Sequence, residues 1–226
     1  MHEIVQRLLR IESQIKEESE KLYISEIPKI IAISKTFSLE AIMPLIEYGH
    51  LHFGENKVQE AKVKWTNIKK EKSILNLHFV GKLQTNKAKD VVKLFDYVHS
   101  LESINQAEVL SKHEKNLNRK LKYFIQVNMA NEKQKSGIEP KDVNFFFSTC
   151  KSKFDLNVIG LMCLPPYVED TEKYFKQMLD LKMSLGLRTK DQLKELSMGM
   201  SNDYVKAINY KSTYVRIGTK IFGVRK

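Results

Sequence analysis

Short apolar runs recur along the chain, each rich in β-branched or aromatic residues and bounded by polar ones. Eight of them predict strands, at 28–35, 50–54, 77–81, 97–100, 123–128, 158–162, 195–198 and 214–218. Between several of these, the apolar positions fall at helical spacing, which predicts helices over 39–46, 87–95, 105–116, 142–151 and 171–183. Pro44 fits best in the first turns of its helix, where a missing N–H costs least. Residues 1–22 read as one further helix ahead of the first strand. Strands that alternate with helices imply a parallel sheet. Eight of them within roughly 200 residues imply an α/β fold, a single closed (β/α)8 TIM-type barrel with an extra N-terminal helix. An open doubly wound sheet is the alternative, and no GxGxxG fingerprint follows any strand to favour it.

Composition narrows the class. The chain has 226 residues, 42% of them hydrophobic, enough for one core, so residues 1–226 are expected to form one domain. No apolar run is long enough to cross a bilayer. The first twenty residues are charged throughout and lack the pattern of a secretory leader, so a cytoplasmic protein is expected. Cys150 and Cys163 belong to no CxxC pair and suggest reduced thiols rather than a disulfide scaffold. The formal net charge is +11. Its lysines are scattered, with no interleaved aromatic signature, so a solvated surface is expected rather than a specific nucleic-acid site.

In a barrel of this type, chemistry gathers at the C-terminal ends of the strands. Lys35 ends the first strand. A lysine there either snorkels to solvent or works at the mouth, where dry surroundings lower its pKa and suit it to Schiff-base formation. The seventh strand runs into Ser197-Met198-Gly199-Met200-Ser201, and the eighth into Arg216-Ile217-Gly218-Thr219. Loops after the last two strands are the usual phosphate site of this fold. A phosphate held by Ser197, Gly218 and Thr219 would lie beside Lys35, because the eighth strand neighbours the first. A phosphorylated aldehyde suits that arrangement. Arg216 either spans the barrel as an ion pair or faces a cofactor ring nitrogen, whose protonation a donor-only guanidinium disfavours. Asn56 ends the second strand within reach of such a ring, while Glu55 and Glu60 are equally suited to pairing on the helix that follows. His50 and His52 form an H-x-H pair at the wrong end of the barrel for a metal centre. His78 and His99 read as core histidines, and Met162 as barrel packing.

Seven segments together resemble one family: 32–36 (AISKT), 53–60 (FGENKVQE), 78–87 (HFVGKLQTNK), 135–137 (KSG), 160–162 (GLM), 196–201 (LSMGMS) and 215–223 (VRIGTKIFG). From Ile31 to Arg225 the chain is similar to the pyridoxal phosphate homeostasis proteins, relatives of the alanine racemase barrel. The resemblance implies that pyridoxal 5'-phosphate (PLP) is held as a Schiff base on Lys35. It implies that Ser197, Met198, Gly218 and Thr219 hold the phosphate and that Arg216 lies near the pyridine nitrogen, with Asn56 beside the ring. Ser201 is an alternative or supplement to Ser197. Lys57 departs from the family's frequent aromatic residue.

Racemases of the related fold add a β-rich domain that supplies a second acid/base group. The sequence ends at Lys226, just past the eighth strand, so no such domain is expected. Racemisation needs proton donors on both faces of the α-carbon. The expected role is therefore non-catalytic: carrying or regulating PLP in vitamin B6 homeostasis, with PLP-dependent apo-enzymes as possible recipients and a monomer as the expected state. The alternatives are a PLP-dependent amino-acid racemase and, further off, a basic nucleic-acid-binding module.

Overall fold

The computed structural model describes residues 1–130, 136–166, 170–189 and 193–224. Its eight strands are β1 (Lys29–Ile33), β2 (His52–Glu55), β3 (Asn76–Phe79), β4 (Tyr97–Leu101), β5 (Lys122–Val127), β6 (Asn157–Cys163), β7 (Glu195–Met200) and β8 (Tyr214–Ile217). They run parallel, pair in chain order and close on themselves through β8 and β1, with Lys29 opposite Tyr214 and Ile31 opposite Arg216. The helices are α1 (Glu3–Lys21), α2 (Leu39–Tyr48), α3 (Val58–Glu71), α4 (Ala88–Leu94), α5 (Ile104–Leu117), α6 (Val143–Ser152), α7 (Glu172–Thr189), α8 (Tyr204–Asn209) and α9 (Thr219–Phe222). This is the expected (β/α)8 barrel with a helix ahead of β1. Lys135, from the 135–137 segment, lies outside the described residues, as do Arg225 and Lys226.

Local chemistry explains the element ends. Val5, Leu8, Ile11 and Ile15 give α1 one buried stripe, which packs against α2, α8 and α9. Ser38 caps α2 by accepting from the Ala41 N–H at 3.4 Å, and Gly49 ends it in the left-handed conformation at φ 101°. Pro44 is the sixth residue of α2, within its first two turns. The sequence pattern did not single out α3, because lysines crowd its exposed face, or α8, which has only six residues. Trp65 anchors α3: it is fully buried, with its ring 5.0 Å from that of Phe53 on β2. A side chain of this size contributes on the order of 3–5 kcal/mol relative to alanine.

Residues alternate between the two faces of each strand. One set, including Ala32, Phe53, Val98, Leu161, Met198 and Val215, packs outward beneath the helices. The other, Ile31, Ile33, Tyr97, Phe124, Met162 and Tyr214, fills the barrel. By the same alternation His78, His99, Ser197 and Arg216 also point inward, and all four are buried. One wall of the interior is thus polar, whereas bulky branched residues usually fill such barrels.

Candidate functional site

A cavity of about 590 Å³ opens at the C-terminal ends of the strands, within the usual range for small-molecule sites. Lys35, Arg216, Gly218 and Thr219 line it together, with Ile33, Ser201, Asp203 and Lys206. Three separate strand ends, those of β1, β7 and β8, therefore meet on one wall.

Lys35 is half-buried, two residues past the end of β1. The strand's pairing continues one step further, because the Ser34 N–H donates to the Gly54 carbonyl at 3.0 Å. The chain then turns at Thr36, whose φ of 69° is unusual for a β-branched residue. A buried cluster holds both neighbours of Lys35. The Ser34 hydroxyl donates to Glu55 Oε1 at 2.7 Å, and the Lys64 ammonium donates to the Ser34 carbonyl at 2.9 Å. The Thr36 N–H donates to Glu60 Oε1 at 2.6 Å. Lys64 also donates to Glu55 Oε1 at 2.9 Å and Glu60 Oε1 at 3.0 Å, and the Trp65 indole donates to Glu55 Oε1 at 3.0 Å. Glu55 and Glu60 thus pair with the helix that follows them, one of the two readings the sequence left open. Hydrogen bonding to Thr36 and the Lys64 cation outweigh desolvation and hold the Glu60 carboxyl below its usual range. Lys64 itself was not foreseen: within a lysine-rich helix, nothing in sequence separates one buried lysine from its solvated neighbours.

Arg216 rises from β8 into the wall and is 5% exposed. It donates to the Ser197 carbonyl at 2.7 Å, the Ser197 hydroxyl at 2.8 Å and the Cys163 carbonyl at 2.9 Å. Burial lowers its pKa from the ordinary value, but a guanidinium remains a cation and a donor only. It spans the barrel through neutral acceptors, not through the carboxylate that an ion pair would need.

The phosphate candidates separate. Ser197 does not line the cavity: it is fully buried beneath Arg216, and its hydroxyl is also within hydrogen-bond distance of His99 Nδ1, at 2.9 Å. Met198, one residue on, faces the opposite way into the core under the helices. Ser201 is on the wall, and its hydroxyl accepts from the Gly218 N–H at 3.2 Å, which ties the β7 and β8 loops together. Gly199 permits that approach. Its φ is 90°, and a Cβ there would meet the Ala207 Cβ at 2.7 Å and the Tyr204 Cα at 2.9 Å, pushing α8 away. The Asp203 carboxylate is turned back to accept from the Met200 N–H at 2.6 Å.

Asn56 is half-buried at the end of β2, in step with Lys35, since Ile33 pairs with Gly54. It does not line the cavity. Its Oδ1 is buried and has no hydrogen-bond partner among the described residues, a costly state that an adjacent donor would relieve. His52, His78 and His99 lie inside the barrel below the mouth, joined in a line.

These residues fit a phosphorylated aldehyde cofactor. They offer an amine, a hydroxyl with a small-residue turn and a buried guanidinium around a space of the right volume, and an orphaned amide oxygen at the end of the neighbouring strand β2. The sequence matches the alanine racemase N-terminal domain family over residues 7–226. The pyridoxal phosphate homeostasis protein of Aquifex aeolicus is 36% identical over 225 residues, covering 98% of this chain and 98% of its own. PipY of Synechococcus elongatus, solved with PLP bound, superposes with a TM-score of 0.85 at 31% identity, covering 98% of this chain and 100% of PipY. Alanine racemase of Clostridium difficile shares the fold, with a TM-score of 0.74 at 13% identity over 98% of this chain and 56% of its own. On barrel, site and sequence together, the chain belongs to the pyridoxal phosphate homeostasis protein family.

Proposed function

We propose that this chain binds PLP as a Schiff base on Lys35 and holds and releases it, supporting vitamin B6 homeostasis rather than turning over a substrate. One observation carries the reading: Lys35, Arg216, Ser201, Gly218 and Thr219 come from three strand ends to a single cavity. In this reading Ser201, Gly218 and Thr219, which line the cavity together, take the phosphate. Ser197 and Met198 support that loop from behind. Asn56 lies beside the ring. Arg216 faces the pyridine nitrogen and keeps it unprotonated. PLP supplies a reactive aldehyde and an electron-withdrawing ring, which this guanidinium leaves weakly withdrawing.

The non-catalytic reading is supported by the wall itself. Racemisation asks for an acid/base group on each face of the α-carbon. Lys35 serves one face, and the Asp203 carboxylate is engaged by the Met200 N–H. The racemase alternative would rest on Lys206, which lines the same cavity. PLP-dependent apo-enzymes are the proposed recipients, and a cytoplasmic monomer is the proposed form. Burial pushes the thiols of Cys150 and Cys163 up to about 12, which suits inert, reduced cysteines.

The test is borohydride reduction of PLP-loaded protein followed by peptide mapping. The pyridoxyl group is expected on Lys35 and is expected to vanish in Lys35→Ala. A label on Lys206 or on no lysine refutes the site. Sustained racemisation of any amino acid in a D/L panel, abolished by Lys35→Ala, refutes the non-catalytic role.

A further inference from the structure

The barrel interior holds a line of three histidines that the cofactor reading does not use, leading to two residues that it does. His52 Nδ1 lies 3.0 Å from His78 Nε2, and His78 Nδ1 lies 2.9 Å from His99 Nε2. His99 Nδ1 lies 2.9 Å from the Ser197 hydroxyl, to which Arg216 donates at 2.8 Å. The line crosses from β2 to β3, β4, β7 and β8. It climbs from a partly exposed histidine near the barrel floor to the guanidinium at the mouth.

In every link the Nδ1 atom faces the mouth side, so one choice of proton positions runs through all of them. Arg216 sets that choice. It has donors only, so it must occupy a lone pair of the Ser197 oxygen. If His99 also donated to that oxygen, the serine hydrogen would need another acceptor, and none is present among the described residues. The serine therefore donates to His99 Nδ1. That places the His99 hydrogen on Nε2, directed at His78 Nδ1, and the His78 hydrogen on Nε2, directed at His52 Nδ1. Any break in this order would set two N–H groups or two lone pairs against each other inside the barrel. Burial also disfavours charge along the line. The pKa values of His78 and His99 fall well below the ordinary imidazole value, and that of His52 falls to about 4.

We propose that His99, backed by His78 and His52, is a positioning residue for the cofactor site: by accepting the Ser197 hydrogen it leaves the serine oxygen to Arg216 and fixes the guanidinium against the cofactor ring. The geometry of the line stands alone; its consequence at the ring rests on the PLP reading. Each donated bond polarises the next, so the three imidazoles strengthen the acceptor that Arg216 sees.

The test has two parts. Two-bond proton–nitrogen correlation spectra of cofactor-free, ¹⁵N-histidine-labelled protein at neutral pH are expected to show the Nε2–H tautomer for His52, His78 and His99. An Nδ1–H or cationic His99 overturns the proposal whether or not PLP binds. The second part uses His99→Phe, which keeps the stacking on Phe124 (4.2 Å between ring centroids, 16° between planes) but removes both nitrogens. It is expected to shift the visible band of bound PLP and to speed PLP release about tenfold, the effect of one lost buried acceptor. His99→Gln, which restores an acceptor, is expected to recover most of that loss. Ser197→Ala should reproduce the His99→Phe effect without adding to it in the double variant. An unchanged band and release rate in His99→Phe, or fully additive effects, refutes the relay. If His99→Phe does not fold, Ser197→Ala decides: the His99 tautomer must lose its bias. If wild-type protein takes up no PLP, the cofactor reading fails and the tautomers still judge the relay.

Discussion

Replacing Lys64 by methionine tests how the mouth of the barrel is held. The side chain of Lys64 is 7% exposed and that of Glu55 is 0% exposed, so their ion pair is buried. Methionine keeps the apolar stem and removes only the charge and its donors. Three acceptors lose a partner: the Ser34 carbonyl, Glu55 Oε1 and Glu60 Oε1. Breaking a buried pair from one side costs about 3–5 kcal/mol, because the remaining charge is left uncompensated. Glu55 Oε1 still accepts from Ser34 Oγ at 2.7 Å and Trp65 Nε1 at 3.0 Å, which places the cost near the lower end, about 3 kcal/mol. With about 2–4 °C per kcal/mol for a chain of this size, Tm should fall by roughly 6–12 °C.

Urea denaturation of Lys64→Met, Glu55→Gln and the double variant checks this. Glutamine removes the stranded charge yet can still accept from Ser34 and Trp65. The double variant is therefore expected to recover at least about 2 kcal/mol of the single variant's loss. A cost below about 1 kcal/mol for Lys64→Met, or strict additivity of the two changes, refutes the view that the pair is a coupled buried unit. Retention of PLP gives a second readout. Ser34 and Thr36 flank Lys35 and both hang on this cluster, so release should quicken in Lys64→Met even at temperatures where the fold is intact.

Acid should destabilise the protein through its histidines. His50 and His52 are held down to about 4, and His78 and His99 well below the ordinary value, mainly by burial. A histidine kept neutral in the fold contributes stability that is complete above its unfolded pKa of about 6.5 and is lost as pH falls towards the folded value. The free energy of unfolding should be level from pH 8 to 7 and then drop, with a limiting slope of about 1.4 kcal/mol per pH unit for each of these groups; equal stability at pH 7 and pH 5 would contradict their buried, neutral state. Gly81→Ala should be destructive, because the added Cβ would sit 2.0 Å from the Asn56 carbonyl oxygen and 2.7 Å from its carbon, both backbone atoms. A loss of about 3 kcal/mol or more is expected, and an alanine variant of wild-type Tm would show that the β2 and β3 ends are not held this close.

The barrel was legible because its signal is repeated. Eight short strands, each bounded by polar residues, leave a pattern that survives errors of two residues at the edges, as at His50, which lies just ahead of β2. That Lys35, Gly218 and Thr219 reach the cavity was legible for a related reason: each sits where a strand ends, and this fold opens its cavities there. Where Ser197 and Met198 lie relative to the cavity needed more than strand position. Strand alternation turns adjacent residues to opposite faces, and depth along the barrel decides whether an inward side chain meets the cavity or the interior. β7 runs to Met200, two residues further than the apolar run suggested, so Ser197 falls one layer below the mouth and Ser201 arrives at it. The Glu55–Lys64 pair was illegible because burial of a lysine is a tertiary fact that helical periodicity in a charged segment does not reveal.

The polar wall inside the barrel follows from what the mouth must hold. A buried guanidinium with no ion-paired carboxylate among the described residues needs neutral acceptors, and Ser197 and the Cys163 carbonyl supply them. A hydroxyl used this way must give its own hydrogen to something, and in a closed barrel that acceptor has to come from another strand. His99 provides it and then carries a hydrogen of its own on the opposite nitrogen, which passes the same demand to His78 and then to His52. The demand ends only where water can meet the last donor, at the partly exposed His52 near the floor. On this argument the three histidines are the consequence of one choice at the mouth. An apolar residue in place of Arg216 would remove the reason for all of them.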